Sequence, residues 1–441
     1  MKKLFRRHTG VPIAFAALLL LLSPIGTDAA IDGIVAANTA TLNLTAKVDH
    51  ISTPDGGSML IWGYADDDNH ANNGSRATYP GPTLIVTQGT SVTINLKNNL
   101  PVPVSMVFPG QQGVSTSGGF PGLLTAEVPA YDPAVIPEPV VTYSFIASEP
   151  GTYIYHTGTR QELGIEMGLM GAIVVRPNMG AGYAYNHADT QYDREYLFFL
   201  SEMDGNIHQL VEIHGPDSTL LQESDYLSDY FSTYWFINGR NAPDTFSASY
   251  VSWLPTQPYG GLPRMHPGER MLMRIVGGGR DLHPFHFHGN HARVIGMDGR
   301  MLESAPGNGP DLSYKSFTTQ SVPGKTVDQI FEWTGKGLGW DMYGHAAGDP
   351  LEPNEYAPDH GKPIPVALPE TQDLAFGGFY SGSPYLGSLG SLPPGEGGLN
   401  PNAGFTYMWH SHTEKELTNW DIFPGGMMTM MVIEPPGAPI P

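Results

Sequence analysis

Short runs of strand-forming residues, broken every few positions by turn formers, dominate this chain. Val, Ile, Thr and Tyr are frequent in these runs, which include 83–86, 91–96, 140–145, 152–156 and 171–176. With 54 Gly and 40 Pro among 441 residues, long helices have few places to form. Closely spaced short strands with turn signals between them are typical of β-sandwiches, so the sequence predicts an all-β protein. One weak helix is predicted, over 217–230.

The strand-rich pattern falls into two blocks. A polar segment containing Gly and Asn, 177–193, separates them and is the predicted boundary. We expect two domains, over 36–178 and 190–436, because a chain of this length holds two or three domains of ordinary size. The second carries a predicted insertion over 298–404. Its part 372–404 is dense in Gly, Ser and Pro, which predicts a long loop.

The first 29 residues have the pattern of an export signal. Four basic residues precede an apolar run over 11–22, and Thr-Asp-Ala at 27–29 forms a cleavage site of small residues. Arg6-Arg7 leaves the twin-arginine and general secretion routes both open. No other apolar run approaches the ~20 residues needed to cross a bilayer. We therefore expect a cleaved, soluble protein in the periplasm or outside the cell.

The mature chain is strongly acidic. Without the signal, 18 Lys and Arg remain against 42 Asp and Glu, a net charge of about −24. This charge argues against nucleic acid and anionic membrane surfaces as partners. A solvated acidic surface is the simplest interpretation, and Glu414 and Glu416 are assigned to it.

Histidine spacing points to metal chemistry. Residues 283–289 read His-Pro-Phe-His-Phe-His-Gly, and residues 410–412 read His-Ser-His. Histidines at positions i and i+2 of a strand lie on the same face, so each stretch can present two imidazoles together. Such ligands suit copper or zinc, but a blue electron-transfer copper also needs a cysteine thiolate. This chain contains no cysteine.

Four stretches resemble the motifs of the multicopper oxidase family. They are Tyr-Pro-Gly-Pro-Thr at 79–83, Gly-Thr-Tyr-Ile-Tyr-His at 151–156, Ile-Asn-Gly-Arg at 237–240 with 283–289, and 410–412 with Gly-Met-Met at 426–428. The resemblance covers nearly the whole mature chain. It implies tandem cupredoxin-like Greek-key β-sandwiches.

The resemblance also implies a set of copper ligands. His283 falls on a type 1 ligand and His286 on a type 2 ligand of the family. Four further residues fall on type 3 ligands: His156, His288, His410 and His412. Isolated histidines elsewhere, His345 and His360 among them, are interpreted as lying outside any site.

Other family positions have changed. The first motif, His-Trp-His in the family, reads Val-Phe-Pro at 107–109, and the second histidine of the next motif is Gly158. The thiolate position is Ser411, and the second type 1 histidine is Glu416. A serine hydroxyl stays protonated near neutral pH and is a poor copper ligand. The laccase-like relay from a type 1 copper to a three-copper cluster is therefore not expected.

The histidines that remain predict a smaller copper centre, with fewer ions than the four of the family. Asp281, Glu414 and Asp421 are candidate partners for its imidazoles. Two-domain relatives form homotrimers with the cluster between subunits, which implies that His156 completes a neighbour's site. The leading hypothesis is a copper-binding oxidoreductase acting on a small molecule or a dioxygen-like ligand, with unassigned catalytic residues. The alternatives are a scaffold or binding protein that has lost copper, and a copper sequestration protein.

Overall fold

The structure, a computed structural model, describes residues 31–36, 38–221, 228–363, 382–385 and 404–440. Strands are the main regular structure in this part of the chain and helices are few, which confirms the all-β prediction. The predicted signal over 1–29 and most of the predicted loop over 372–404 lie outside the described residues. Among the residues described, no helix combines the length and apolar character needed to span a membrane.

The first block forms two larger sheets, of four strands (β1-β5-β12-β11) and six strands (β4-β3-β2-β6-β10-β7), and a small hairpin (β8-β9). The strands are β1 (Ile34–Ala36), β2 (Thr39–Ser52), β3 (Ser58–Asp66), β4 (Ala77–Thr78), β5 (Leu84–Thr87), β6 (Ser91–Asn98), β7 (Ser115–Ser117), β8 (Phe120–Pro121), β9 (Ala126–Glu127), β10 (Val141–Ile146), β11 (Gly151–His156) and β12 (Met170–Arg176). Buried and exposed positions alternate along β6, so that Val92, Ile94 and Leu96 face the core.

The second block forms a seven-stranded sheet (β14-β13-β16-β22-β18-β19, with β20 on β18) and a six-stranded sheet (β15-β25-β24-β17-β21, with β23 on β24). The strands are β13 (Arg194–Met203), β14 (Tyr234–Ile237), β15 (Arg264–Met265), β16 (Arg270–Gly277), β17 (His283–Phe287), β18 (Ala292–Met297), β19 (Arg300–Met301), β20 (Tyr314–Ser316), β21 (Thr318–Ser321), β22 (Thr326–Glu332), β23 (Ser383–Tyr385), β24 (Gly404–Ser411) and β25 (Met428–Ile433). Strands β19 to β22 lie within 298–332, so this part of the chain belongs to the sheets.

The core of the second block determines which way the histidine strand faces. Phe285 and Phe287 of β17 pack with Trp409 of β24 and are fully buried. Since side chains alternate along a strand, His283 lies on this buried face and His286 on the opposite face. Met431 packs into the same core.

Helices are few and short. They are α1 (Gln161–Glu166), α2 (Gly205–His214) and 3-10 turns at Ala188–Thr190, Asp244–Phe246, Ala357–Asp359 and Glu414–Leu417. The Asp204 side chain caps α2 by accepting a hydrogen bond from the Asn206 amide. The prediction of a helix over 217–230 is wrong for its described residues, which are not helical. Gly215, at φ 82°, ends α2, and Pro216 cannot continue it.

A buried ionic network joins the two blocks. The Arg274 side chain, on β16, is fully buried, with Nε 3.1 Å from Glu195 Oε2 and Nη1 3.4 Å from Asp328 Oδ1. Thr152, on β11 of the first block, donates a 2.5 Å hydrogen bond to Asp328. Removing one member would leave a buried charge without its partner, which is strongly destabilising.

Candidate metal centre

Three histidines converge on the exposed side of the six-stranded sheet of the second block. His286 lies on β17 directly opposite His410 on the antiparallel strand β24, and His288 follows β17 on the same face as His286. One ligand nitrogen from each of the three lies within 4.8 Å of the others. The pairing of β17 with β24 therefore brings two sequence motifs more than 120 positions apart into one cluster.

The spacing of the nitrogens matches a shared metal ion. His288 Nε2 and His410 Nε2 are 3.3 Å apart. Two ligands about 2.0–2.1 Å from one ion, at a tetrahedral angle, lie about 3.3 Å from each other. His410 Nδ1 lies 2.7 Å from the Ser411 carbonyl oxygen, which can only accept, so this nitrogen carries the proton. In the neutral ring Nε2 is then unprotonated and can bind a metal.

A hydrogen bond orients the His286 ring in the same way. His286 Nδ1 lies 2.7 Å from the Thr318 hydroxyl on the neighbouring strand β21, which leaves Nε2 as the ligand nitrogen. Such partners fix ring orientation at metal centres. Of the candidates from the sequence, Asp281 accepts instead from Ser232, and Glu414 is 3.9 Å from His412. The orienting groups are thus a hydroxyl and a backbone carbonyl.

Electrostatics keep the cluster uncharged. Burial, the largest cause, and the neighbouring His288, His410 and His412 together lower the pKa of His286 to about 4. Burial also lowers the pKa of His410. Because only neutral imidazole binds a metal, these rings are ready for one at neutral pH. Grouped imidazoles suit copper, so the donor set fits the ion that the sequence implies.

Two further predicted ligands lie at the margin of the cluster. His412 follows β24, its side chain is half exposed, and its ring centroid is 4.9 Å from that of His286. His156 ends β11 in the first block and lies outside the three-histidine group. Its Nδ1 is 2.8 Å from the Thr157 carbonyl oxygen, the same arrangement as in His410.

The remaining predicted ligand, His283, is held elsewhere. Its ring is fully buried, with Nε2 2.8 Å from Glu202 Oε2 and Nδ1 2.9 Å from Glu416 Oε2. Burial alone would lower its pKa, but the two carboxylates outweigh burial and raise the pKa to about 10. His283 is therefore a cation between two carboxylates, and neither nitrogen faces His286.

This arrangement occupies the place where the resemblance puts a type 1 copper. Ser411, at the thiolate position, is fully buried, and its hydroxyl accepts from the Thr413 amide. Glu416, at the second histidine position, is 5% exposed. The assignment of Glu416 to the solvated surface is therefore wrong, whereas Glu414, with a 78% exposed side chain, does lie there. An ionic triad of Glu202, His283 and Glu416 fills the position where the resemblance implies a type 1 copper.

A second cluster of metal-binding side chains lies in the loop after β22. Its members are Asp341, His345, Glu355 and His360. The spacings Asp-x3-His and Glu-x4-His do not predict that these side chains converge, because no strand or helix sets the directions of the four side chains. Two histidines and two acidic residues within 20 positions of one loop are the signal that could have found them.

The comparisons with known proteins agree with this architecture. Residues 65–180 match the family described as multicopper oxidase. The structure of multicopper oxidase mgLAC aligns with a TM-score of 0.53 at 17% identity, over 92% of this chain and 88% of that one, which supports the fold. The chain thus shares the fold of a multicopper oxidase and matches that family's model over one segment. It contains no cysteine, which a type 1 copper site requires.

Curated relatives match over shorter segments. Multicopper oxidase MCE of Talaromyces pinophilus is 36% identical over 101 residues, which are 22% of this chain and 15% of that protein. Copper resistance protein A of Escherichia coli is 29% identical over 148 residues, which are 33% of this chain and 21% of that protein. The chain thus spans about a fifth or less of the length of these relatives.

A cavity of about 660 Å³ lies away from the histidine cluster. It is bordered by residues 31–33, β13 and the loop around Tyr259, and Asp32 and Glu195 are among its polar lining groups. None of the six predicted ligands lines it. The three-histidine cluster and this cavity are therefore separate.

Proposed function

We propose that the protein binds one copper ion at His286, His288 and His410 and acts there as an oxidoreductase on a small ligand. The observation that carries this proposal is the 3.3 Å approach of His288 Nε2 to His410 Nε2, with His410 oriented through its Nδ1. Bound copper would supply one-electron redox chemistry. The three imidazole rings would hold the ion, and a fourth coordination position, on the exposed side next to His412, would admit the small ligand.

The centre would work without a type 1 partner. Ser411 offers no thiolate, and His283 is bound on both sides by carboxylates. Electrons would therefore enter directly from a donor at the exposed side of the cluster. Dioxygen-like ligands and small reductants are the substrate classes that fit an open, uncharged imidazole site.

Location follows from the amino-terminal pattern and the relatives. A copper protein with an export signal over 1–29 would act in the periplasm or outside the cell. The Escherichia coli relative is named as a copper resistance protein. We propose the same general setting, copper handling outside the cytoplasm, for this chain.

We further propose a homotrimer in which His156 of one subunit completes the cluster of the next. His156 lies outside its own chain's cluster. Exposed apolar side chains lie near His156 and near the cluster. On the His156 side, Leu123 is 91% exposed and lies in the turn before Glu127, which contacts Thr159. On the cluster side, the exposed Phe317 lies against His286. Burying such exposed apolar patches against a second copy would stabilise the assembly.

Copper analysis tests the centre. Purified protein is loaded with copper, freed of excess ion, and compared with the His286→Ala/His410→Ala variant. We expect the variant to hold roughly one equivalent less copper, because two of the three ligands are gone. The His214→Ala variant removes an exposed histidine outside the site and should match the wild type. Equal copper in all three proteins would refute the proposed centre.

Measuring catalytic turnover distinguishes an oxidoreductase from a copper sequestration protein. Dioxygen consumption with a small phenolic or metal reductant should occur in the wild type and in His214→Ala, and should be lost in His286→Ala/His410→Ala. Copper binding without turnover in the wild type would refute the oxidoreductase and indicate sequestration. Absence of bound copper would favour the scaffold.

Mixing subunits tests the shared site. His156→Ala and His410→Ala chains each lack one ligand, so assemblies of either alone should be impaired. If neighbouring subunits share the site, co-expression at equal amounts restores about a quarter of the sites, since donor and acceptor must come from different variants. A site within one chain would gain nothing from mixing.

A further inference from the structure

We propose a second metal site, in the loop between β22 and residue 363, that binds a divalent transition-metal ion of the zinc type. It is independent of the histidine centre and of the proposed function. Two imidazoles and two carboxylates form it: Asp341, His345, Glu355 and His360.

The four side chains face one point. His345 Nδ1 lies 3.2 Å from Glu355 Oε2, and His360 Nδ1 lies 2.8 Å from Glu355 Oε1. Both Nδ1 atoms are also 3.9 Å from Asp341 Oδ2. Distances between ligands of one tetrahedral ion are about 3.3 Å, so these separations surround the expected value.

The hydrogen bonds of His360 require a cation here. Its Nε2 lies 3.0 Å from the Asp349 carbonyl oxygen, which can only accept, so Nε2 carries a proton. In the neutral ring Nδ1 is then unprotonated and faces a Glu355 carboxylate oxygen at 2.8 Å. Two acceptors at that distance need a positive charge between them. A metal ion satisfies both histidines and both carboxylates at once, whereas a second proton on His360 satisfies only the contact between His360 and Glu355.

The carboxylates are positioned in advance. The Asp341 side chain is fully buried, with Oδ1 accepting from the Tyr343 amide and Oδ2 from the Gly361 amide. Glu355 is 3% exposed and accepts from the Glu352 amide. Buried carboxylates are costly without a counter-charge. Backbone amides hold both, as outer partners do at metal centres.

The loop over 333–363 has little regular structure of its own to stabilise it. Over 333–363 it contains only one 3-10 turn of regular structure, yet Trp340 and Met342 pack into the second core. Asn354 donates to the Gly268 carbonyl, which ties the loop to the start of β16. An ion joining positions 341, 345, 355 and 360 would close the loop on itself over this core.

The ligand set selects the ion class. Two imidazole nitrogens exclude magnesium and calcium, which prefer oxygen ligands. Two nitrogens and two oxygens that lie within 4.8 Å of one another suit zinc. The pairs His70–Asp66 and His50–Glu212 lack this convergence, since each joins one histidine to one carboxylate.

Zinc itself is the probe. Metal-free full-length protein is given one equivalent of copper, then loaded with zinc, freed of excess, and analysed for both metals. We expect the His345→Ala/His360→Ala variant to lose about one zinc per chain and the zinc-induced rise in thermal midpoint. The His50→Ala/His70→Ala variant, which removes two ordinary histidine–carboxylate pairs, should retain both.

Folding failure is separated from ligand loss by two readouts. Glu355→Gln preserves side-chain shape while removing charge, and it should also lose the zinc. Unchanged far-ultraviolet circular dichroism and unchanged copper content would show that each variant is folded. Zinc content and thermal shift equal to the wild type in both variants, or no zinc in the wild type, would overturn the proposal.

Discussion

Glu416 Oε2 lies 2.9 Å from His283 Nδ1, on the side of the ring opposite Glu202. The resemblance puts a type 1 histidine at the position of Glu416, and here Glu416 binds His283, which the resemblance puts at another ligand position. A histidine held between two carboxylates thus fills this place in the fold.

Replacing Glu416 should destabilise the protein. Glu416→Gln leaves His283 with one carboxylate in a buried setting, and breaking such a pair costs about 3–5 kcal/mol. Urea unfolding would measure the change. Glu414→Gln, at an exposed position two residues earlier, should stay within about 0.5 kcal/mol of the wild type. Equal midpoints for the two variants would contradict the buried triad.

Stability should fall at alkaline pH because of His283. Its folded pKa is raised to about 10, above the unfolded value of about 6.5. Its contribution is therefore complete below pH 6.5 and is lost as the pH rises through 10. Urea unfolding at a series of pH values should show a steeper decline for the wild type than for His283→Gln. Parallel profiles would mean that His283 is uncharged in the folded protein.

Copper-loaded wild type should lack strong blue absorption, since no thiolate is available. Ser411→Cys alone should also lack it, because Glu416 still occupies His283 Nδ1. Ser411→Cys/Glu416→His frees that nitrogen and supplies the two missing ligands, so this variant should turn blue with copper. Blue colour in the wild type, or none in the double variant despite bound copper, would contradict this account of the triad.

Export should remove the first 29 residues. Protein recovered from the periplasm or medium of an expressing bacterium is expected to begin at Ala30, as amino-terminal sequencing can determine. Arg6→Lys/Arg7→Lys would distinguish the two routes, because the twin-arginine route requires the pair. Full-length protein retained in the cytoplasm would contradict the interpretation as a signal.

The strand pattern and part of the site could be predicted because they depend on local spacing. Alternation along β17 places His286 and His288 on one face, as the i, i+2 rule requires. The position of His410 opposite His286 depends on the register between β17 and β24, which the sequence does not encode locally. The family resemblance supplied that long-range information.

The charged partners could not be predicted, because they come from distant segments. Glu202 reaches His283 from β13, 81 positions away, and Glu416 from 133 positions away. The loop cluster has the opposite difficulty. Its four residues are close in sequence, but no regular element sets their directions, so only the folded loop reveals that they converge.

A crystal structure of copper-soaked protein, with anomalous data at the copper edge, tests the central claim most directly. We predict a strong peak within bonding distance of His286, His288 and His410 and no peak between His283 and Ser411. Three rings that point apart with no copper among them, or copper at His283 instead, would contradict the account.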